Sequence, residues 1–250
     1  MKLKLEGKVA VVTGASKGLG RAIATGLADE GCRLVLVARR REPLEEVARM
    51  LPESADVLII EQDVTTDDAA QRIHKAVIDR HGRCDILINN AGRSCSQKDN
   101  LGDDALWQES MLLNFESGRR IAHAFIPGMR AQGFGRILSL TGQDEPRDIN
   151  PANAPNGAVH IWSKALSRIV GKDGVTLNCI APGRLHSEQM DVRILDSEEK
   201  LRAAEQEIPV GYVGEPEDLA VLAVFLCSPL SRYITGQVIH VDGGASRFSH

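Results

Sequence analysis

The stretch "NGAVHIWSK" at residues 156–164 ends in His160 and Lys164, four residues apart. On a helix that spacing puts two side chains on one face, one turn from each other. It is the spacing of a Tyr-x-x-x-Lys proton-donor pair, with histidine standing where tyrosine would be. An imidazole can donate near neutral pH, although a lone helical histidine is more often structural. Asn156 lies one turn before His160, on the same side. Asp144, Glu145 and Asp148 precede both in "GQDEPRDINPANAP" (142–155), as acids or as solvated loop charges. Cys95 follows "NNAG" with nothing beside it in sequence to activate a thiol.

A second constellation could bind rather than react. "TGASKGLG" (13–20) carries Gly14, Gly18 and Gly20, with Ser16, Lys17 and Leu19 between them. Gly14 permits a tight turn, Gly18 lets backbone approach a phosphate, and Gly20 lets a helix pack closely on a sheet. The start of that helix would offer unpaired N–H groups to a pyrophosphate. A glycine triplet alone is also what a structural turn needs; its place between a first strand and a first helix points to a dinucleotide. The next strand ends "VARRR", with Arg39 and Arg40 and no carboxylate. A carboxylate there would take the ribose hydroxyls of NAD, whereas cations pair with the 2′-phosphate of NADP. Lys17 adds a cation from the glycine loop, so NADP(H) is the expected cofactor.

These residues need a scaffold, and the chain is long enough to build one. Its 250 residues, 43% hydrophobic and 26% charged, suit a globular α/β protein. Short Val/Ile/Leu runs at 8–13, 33–38, 56–62, 85–89, 135–141, 175–181 and 237–242 read as strands. Amphipathic stretches at 19–30, 42–51, 67–81, 104–132, 156–171 and 215–227 read as helices. The alternation predicts one Rossmann-like, doubly wound parallel sheet with helices on both faces, as a single domain over 1–250. The loops at 93–105, 142–155 and 184–207 carry no readable pattern.

Composition also narrows the partners. A net charge of −4 gives no reason to expect nucleic acid or an anionic membrane. The longest apolar run, "LAVLAVFL" (219–226), is too short to span a bilayer. The start "MKLKLEGKVAVVTGAS" is not expected to be a leader peptide. Five cysteines without a Cys-x-x-Cys favour free thiols, no metal site and a cytoplasmic location.

The Gly-x-x-x-Gly-x-Gly spacing, "NNAG" (89–92), "QDV" (62–64), "APG" (181–183), "GEPEDLA" (214–220) and "ITGQVIHVDGG" (234–244) together resemble the short-chain dehydrogenase/reductase family over essentially the whole chain. Within it the likeness is strongest to bacterial β-ketoacyl carrier-protein reductases. The resemblance implies that Asp63 and Val64 meet the adenine. It also implies that Asn90, Ala91 and Gly92 line the cofactor, and that Pro182, Gly183 and Ser187 receive the nicotinamide and its phosphate. It implies a small-molecule or acyl-thioester carbonyl substrate and a homotetramer built on the long helices and the C-terminal strand.

The family's catalytic set is Asn, Ser, Tyr and Lys: tyrosine gives a proton to the substrate carbonyl, serine holds that oxygen, and lysine grips the ribose and lowers the tyrosine pKa. Asn114 falls at the asparagine position. The serine position falls on Gly142, while Thr141, by strand alternation, is expected to face away. The segment "SKALSRIVGKDGVTLNCIAPG" (163–183) matches the family from mid-helix onward without a gap. On that register Lys164 is an ordinary helix lysine, the lysine position is Asn156 and the tyrosine position is Ala152. Asn156 can still reach a ribose hydroxyl, and His160 is a possible substitute acid. Pro155, suited to a helix's first turn, suggests a helix starting near 156 and leaves Ala152 in a loop. Two readings follow: an oxidoreductase with a non-family proton donor, or a silent cofactor-binding subunit or sensor.

Overall fold

The computed structural model describes residues 2–94, 101–142, 145, 149–187 and 197–247. Seven strands, β1 (Val9–Thr13), β2 (Arg33–Ala38), β3 (Val57–Glu61), β4 (Ile86–Asn89), β5 (Gly135–Leu140), β6 (Val175–Pro182) and β7 (Val238–Val241), form one parallel sheet in the order 3-2-1-4-5-6-7. The helices between them are α1 (Gly18–Asp29), α2 (Arg41–Met50), α3 (Ala69–His81), α4 (Asp104–Met111), α5 (Ser117–Ala131), α6 (Asn153–Val170), α7 (Glu198–Glu207) and α8 (Pro216–Cys227).

The apolar runs are strands because both their faces are covered. Along β1, Ala10 and Val12 pack on one side with α1, α2 and α8, while Val9 and Val11 pack on the other with α3 and α5. β2 divides in the same way, Leu34 and Leu36 against Val35 and Val37. Alternating residues thus enter two different apolar layers, so the sequence shows continuous hydrophobicity instead of a polar face. This is the doubly wound sheet expected from the sequence.

Between β1 and β4 the strand order reverses direction. Crevices at such a switch point, outside the carboxyl ends of the strands, are where open α/β sheets bind ligands. The glycine loop leaves β1 at that point, and "NNAG" leaves β4 beside it.

Three elements differ from expectation. α6 begins at Asn153, with Ala152 as its N-cap, three residues before the predicted start. Pro155 has no N–H to leave unpaired, and the first turn needs none, so it sits there as comfortably as at the predicted helix start. The long helix predicted over 104–132 is broken by a π-helical turn, Leu112–Glu116, between α4 and α5. Residues 198–207, predicted as loop, form α7, whose N-cap Ser197 accepts a hydrogen bond from the Lys200 amide. Among the described residues no helix is long and apolar enough to cross a membrane.

Candidate active site

The glycine loop is shaped by backbone contacts that exclude side chains. Gly14 has φ +65°, and a Cβ on it would lie 2.8 Å from Asn90 Nδ2 and 3.0 Å from Ala91 Cα. A Cβ on Gly20 would run into the Gly14 carbonyl oxygen and lie 2.5 Å from Asn90 Nδ2. Gly18 has φ +51° but meets nothing closer than Ser187 Cβ at 3.9 Å. Gly14 and Gly20 are therefore glycine for close packing, and Gly18 for its backbone angle in open space.

Thr13, which sequence reasoning passed over, joins β1 to the "NNAG" segment. Its Oγ1 accepts from the amides of Asn90 (3.0 Å) and Ala91 (3.1 Å) and donates to Ile88 O (3.2 Å). Asn90 returns the contact: its Nδ2 donates to Thr13 O (3.0 Å) and Gly14 O (3.1 Å). The Asn90 side chain, expected to line the cofactor, is thus a brace beneath the glycine loop. A hydroxyl residue immediately before the first glycine was the available signal.

At the start of α1 no side chain caps the helix, and its first turn carries no acidic residue. With Ser16 half-buried, Leu19 partly buried against the core and Gly18 open, the positive end of α1 faces the crevice as an anion site. Lys17 is the N-cap of α1, and Arg39 and Arg40 are exposed beyond β2. Asp63 lies close enough to Arg39 to feel its charge. Burial raises the Asp63 pKa, but bonds from the Thr65 amide (2.9 Å) and hydroxyl (2.7 Å), with Arg39, more than offset this and hold it below the ordinary carboxylate range. Val64 is buried with the core, next to the crevice. A dinucleotide fits these residues: an open glycine cradle for the diphosphate and cations for a further phosphate.

At the far side of the crevice, Gly183 presses against the chain just past β7, where a Cβ would lie 2.5 Å from Asp242 Cα. Pro182 ends β6, and the chain then carries Ser187 back over Gly18. The loop implied to receive the nicotinamide and its phosphate therefore does reach the glycine loop.

Asn114 sits within the π-helical turn and clamps the chain just beyond Gly92. Its Oδ1 accepts from Arg93 N (2.9 Å), and its Nδ2 donates to Arg93 O (3.2 Å) and Ser110 Oγ (2.9 Å). A Cβ on Gly92 would meet Asn114 Oδ1 at 2.9 Å.

The segment after β5 faces α6 at two levels. Thr141 Oγ1 lies 3.0 Å from His160 Nε2 and 3.2 Å from Ile180 O, to which it donates. One turn nearer the helix start, Asn156 lies against Gly142. The expectation that Thr141 faces away fails because β5 ends at Leu140, so strand alternation does not extend to 141 and 142. Asn150 caps the approach to α6: its Oδ1 accepts from Ala152 N (3.0 Å), and its Nδ2 donates to Ser94 Oγ (2.8 Å). Glu145 accepts from the Arg247 amide, which draws the C-terminal segment towards this loop. Cys95, Asp144 and Asp148 lie outside the described residues.

Lys164 is exposed, and its stem packs on the 234–236 turn: a Cβ on Gly236 would lie 3.0 Å from Lys164 Cδ and 3.5 Å from Nζ. Gly236 precedes β7, at the amino ends of the parallel strands, whereas the glycine loop leaves the carboxyl end of β1. The described cysteines, Cys32, Cys84, Cys179 and Cys227, are buried free thiols. Burial pushes Cys32 up to about 12 and Cys179 to about 11, so both remain protonated. Among the described residues there is no cluster that could hold a metal ion.

Residues 14–246 match the family described as enoyl-(acyl carrier protein) reductase. The chain belongs to the short-chain dehydrogenase/reductase family. It is 34% identical over 249 residues to the 3-oxoacyl-(acyl-carrier-protein) reductase FabG of Vibrio cholerae, covering 97% of this chain and 98% of that one. It is 33% identical to galactitol 2-dehydrogenase of Cereibacter sphaeroides, over 96% of both chains. Among solved structures, L-sorbose reductase of Gluconobacter frateurii, complexed with NADPH and L-sorbose, superposes with a TM-score of 0.91 at 34% identity, covering 98% of each chain. The RhlG/NADP active-site complex of Pseudomonas aeruginosa gives 0.89 at 30%, again over 98% of each. Relatives named for such different substrates share this short-chain dehydrogenase/reductase frame.

Proposed function

We propose that the protein is a cytoplasmic NADP(H)-dependent oxidoreductase, one domain over 1–250, that moves a hydride between the nicotinamide and the carbonyl or carbinol carbon of a small-molecule or acyl-thioester substrate. The observation that carries this is the crevice itself: an uncapped α1 and an open Gly18 with Lys17 at one corner, and Arg39 and Arg40 along the adjoining edge. The bound nicotinamide supplies the hydride. Gly14, Ser16, Gly18, Leu19 and Gly20 cradle the diphosphate; Lys17, Arg39 and Arg40 take the 2′-phosphate; Asp63 and Val64 border the adenine. Ala91, Gly92, Pro182, Gly183 and Ser187 line the nicotinamide half, and Asn90 braces the glycine loop from below.

At the catalytic end only Asn114 keeps the family residue; Gly142, Ala152 and Asn156 stand at the serine, tyrosine and lysine positions. Two features support that register: Ala152 opens α6, so Asn156 lies in its first turn, and Lys164 packs by the amino ends of the strands, away from the glycine loop. The tyrosines, Tyr212 and Tyr233, are 52% and 99% exposed in the C-terminal third. The Thr141 hydroxyl is within hydrogen-bond distance of both His160 Nε2 and Ile180 O, which ties α6 to the ends of β5 and β6. On this reading His160 orders the floor of the site, and water supplies the proton.

The assembly is a homotetramer. Ile161 and Ile169, 75% and 58% exposed on α6, and the outer face of α5 meet second copies; a monomer in light scattering at micromolar concentration contradicts this. The function is tested by following NADPH consumption with activated diketones while measuring NADPH binding in parallel. Saturable binding with consumption supports the oxidoreductase. Binding without consumption identifies a silent cofactor-binding subunit.

A further inference from the structure

We infer that the Asn156 side-chain amide holds the substrate's carbonyl oxygen, and that residue 142 is glycine to make room for it. The inference rests on the oxidoreductase reading above and adds a role for one residue pair.

The pairing is steric. A Cβ built on Gly142 would lie 2.8 Å from Asn156 Nδ2, closer than Cβ atoms sit to their neighbours. Even alanine at 142 would force the amide aside. A serine would add a hydroxyl to that Cβ. The two side chains therefore compete for one volume, and Asn156 has it.

The amide is also available. The Asn156 backbone N–H is spent on Ala152 O (3.1 Å), but among the described residues its side chain makes no hydrogen bond. It is only partly buried, and Gly142 beside it lies just past the carboxyl end of β5, two strands from the Gly14 turn. It projects from the first turn of an 18-residue helix, whose positive end favours an oxygen that gains negative charge. A neutral amide donor aimed at developing charge is how oxyanion holes act. In the reduction, the carbonyl carbon receives the hydride and the C=O π pair moves onto oxygen. The alkoxide rests on the Asn156 N–H and then takes a proton from water, and the cofactor is left oxidised.

The test uses Asn156→Ala, Gly142→Ser and the double variant in the full-length protein, with butane-2,3-dione and ethyl acetoacetate as probes. Thermal melting and NADPH titration accompany the kinetics of each. Asn156→Ala should lower kcat about 100-fold and leave NADPH affinity within twofold. Gly142→Ser alone should lower kcat, because the new Cβ pushes the unbonded amide aside. Combined with Asn156→Ala, the serine has room, and kcat should rise at least tenfold above Asn156→Ala. Additive losses in the double variant overturn the inference. So does an Asn156→Ala protein that keeps its kcat, or one that binds NADPH tenfold more weakly with kcat unchanged, which marks a ribose contact instead. If the unaltered protein binds NADPH but reduces neither probe, the oxidoreductase reading falls and this one with it; if it reduces them and Asn156→Ala reduces them equally fast, only this one falls.

Discussion

Gly20→Ala tests the glycine loop with a single methyl group. That methyl would overlap the Gly14 carbonyl oxygen and sit 2.5 Å from Asn90 Nδ2, where unstrained contacts are about 3.5–4.0 Å. Gly14 O is backbone and Asn90 is held by two hydrogen bonds, so neither can yield cheaply. Relief requires α1 to move about 1 Å away from the loop. Overpacking of this kind costs about 1–3 kcal/mol, which in a chain of this size lowers the melting temperature by about 2–4 °C per kcal/mol. The same shift displaces the helix N–H groups from a bound diphosphate, and NADPH affinity should fall at least tenfold, about 1.4 kcal/mol. Gly26→Ala on the same helix is the control: its Cβ meets only Val224 Cγ2, at 2.9 Å, a side-chain methyl. It should leave NADPH affinity unchanged whatever it does to melting. Melting followed by circular dichroism and titration by nicotinamide fluorescence give both numbers. The reasoning is refuted if Gly20→Ala melts with the parent and binds NADPH equally well.

Three more outcomes are expected. Lys164→Ala should leave NADPH affinity unchanged; a tenfold loss would mean that this lysine grips the ribose and that the register is wrong. His160→Phe removes one hydrogen bond, about 0.5–1.5 kcal/mol, and should lower the melting temperature by a few degrees while turnover persists. Abolished turnover with intact NADPH binding would make His160 the acid instead. His81 has both ring nitrogens buried without a hydrogen-bond partner, and burial depresses its pKa despite the Asp56 carboxylate nearby. The unfolded chain therefore binds the proton first as pH falls below about 6.5, so stability is full above that value and declines beneath it. His81→Leu should narrow the difference in melting temperature between pH 8 and pH 5.5, measured by calorimetry; an unchanged difference would assign the acid sensitivity to other groups.

How much of this was legible in the sequence varied with the physics involved. Strands buried on both faces print as unbroken Val/Ile/Leu runs, and each was readable to within a residue or so. The glycine loop was legible because Gly14, Gly18 and Gly20 answer to strict backbone demands that no other residue meets. The start of α6 was not, since Pro155 suits more than one position in a first turn and Ala152 carries no capping side chain. Nor was the π-helical turn around Asn114, because an i→i+5 bond has no residue code. α7 did have a signal, Ser197 followed by Glu198 and Glu199, hidden by its weakly apolar composition. The contact between Gly142 and Asn156 joins residues fourteen positions apart through a loop, and only coordinates bring them together.

The central claim is that the cleft binds NADP(H) through cations placed for the 2′-phosphate. The most direct measurement is a side-by-side titration of NADPH and NADH against the unaltered protein and against Lys17→Ala, Arg39→Ala and Arg40→Ala. Each charge-assisted contact contributes about 1.5–3 kcal/mol, at least tenfold in affinity. The account predicts at least a tenfold preference for NADPH, eroded by each substitution while NADH binding stays the same. Equal affinities, or a preference for NADH, would contradict it.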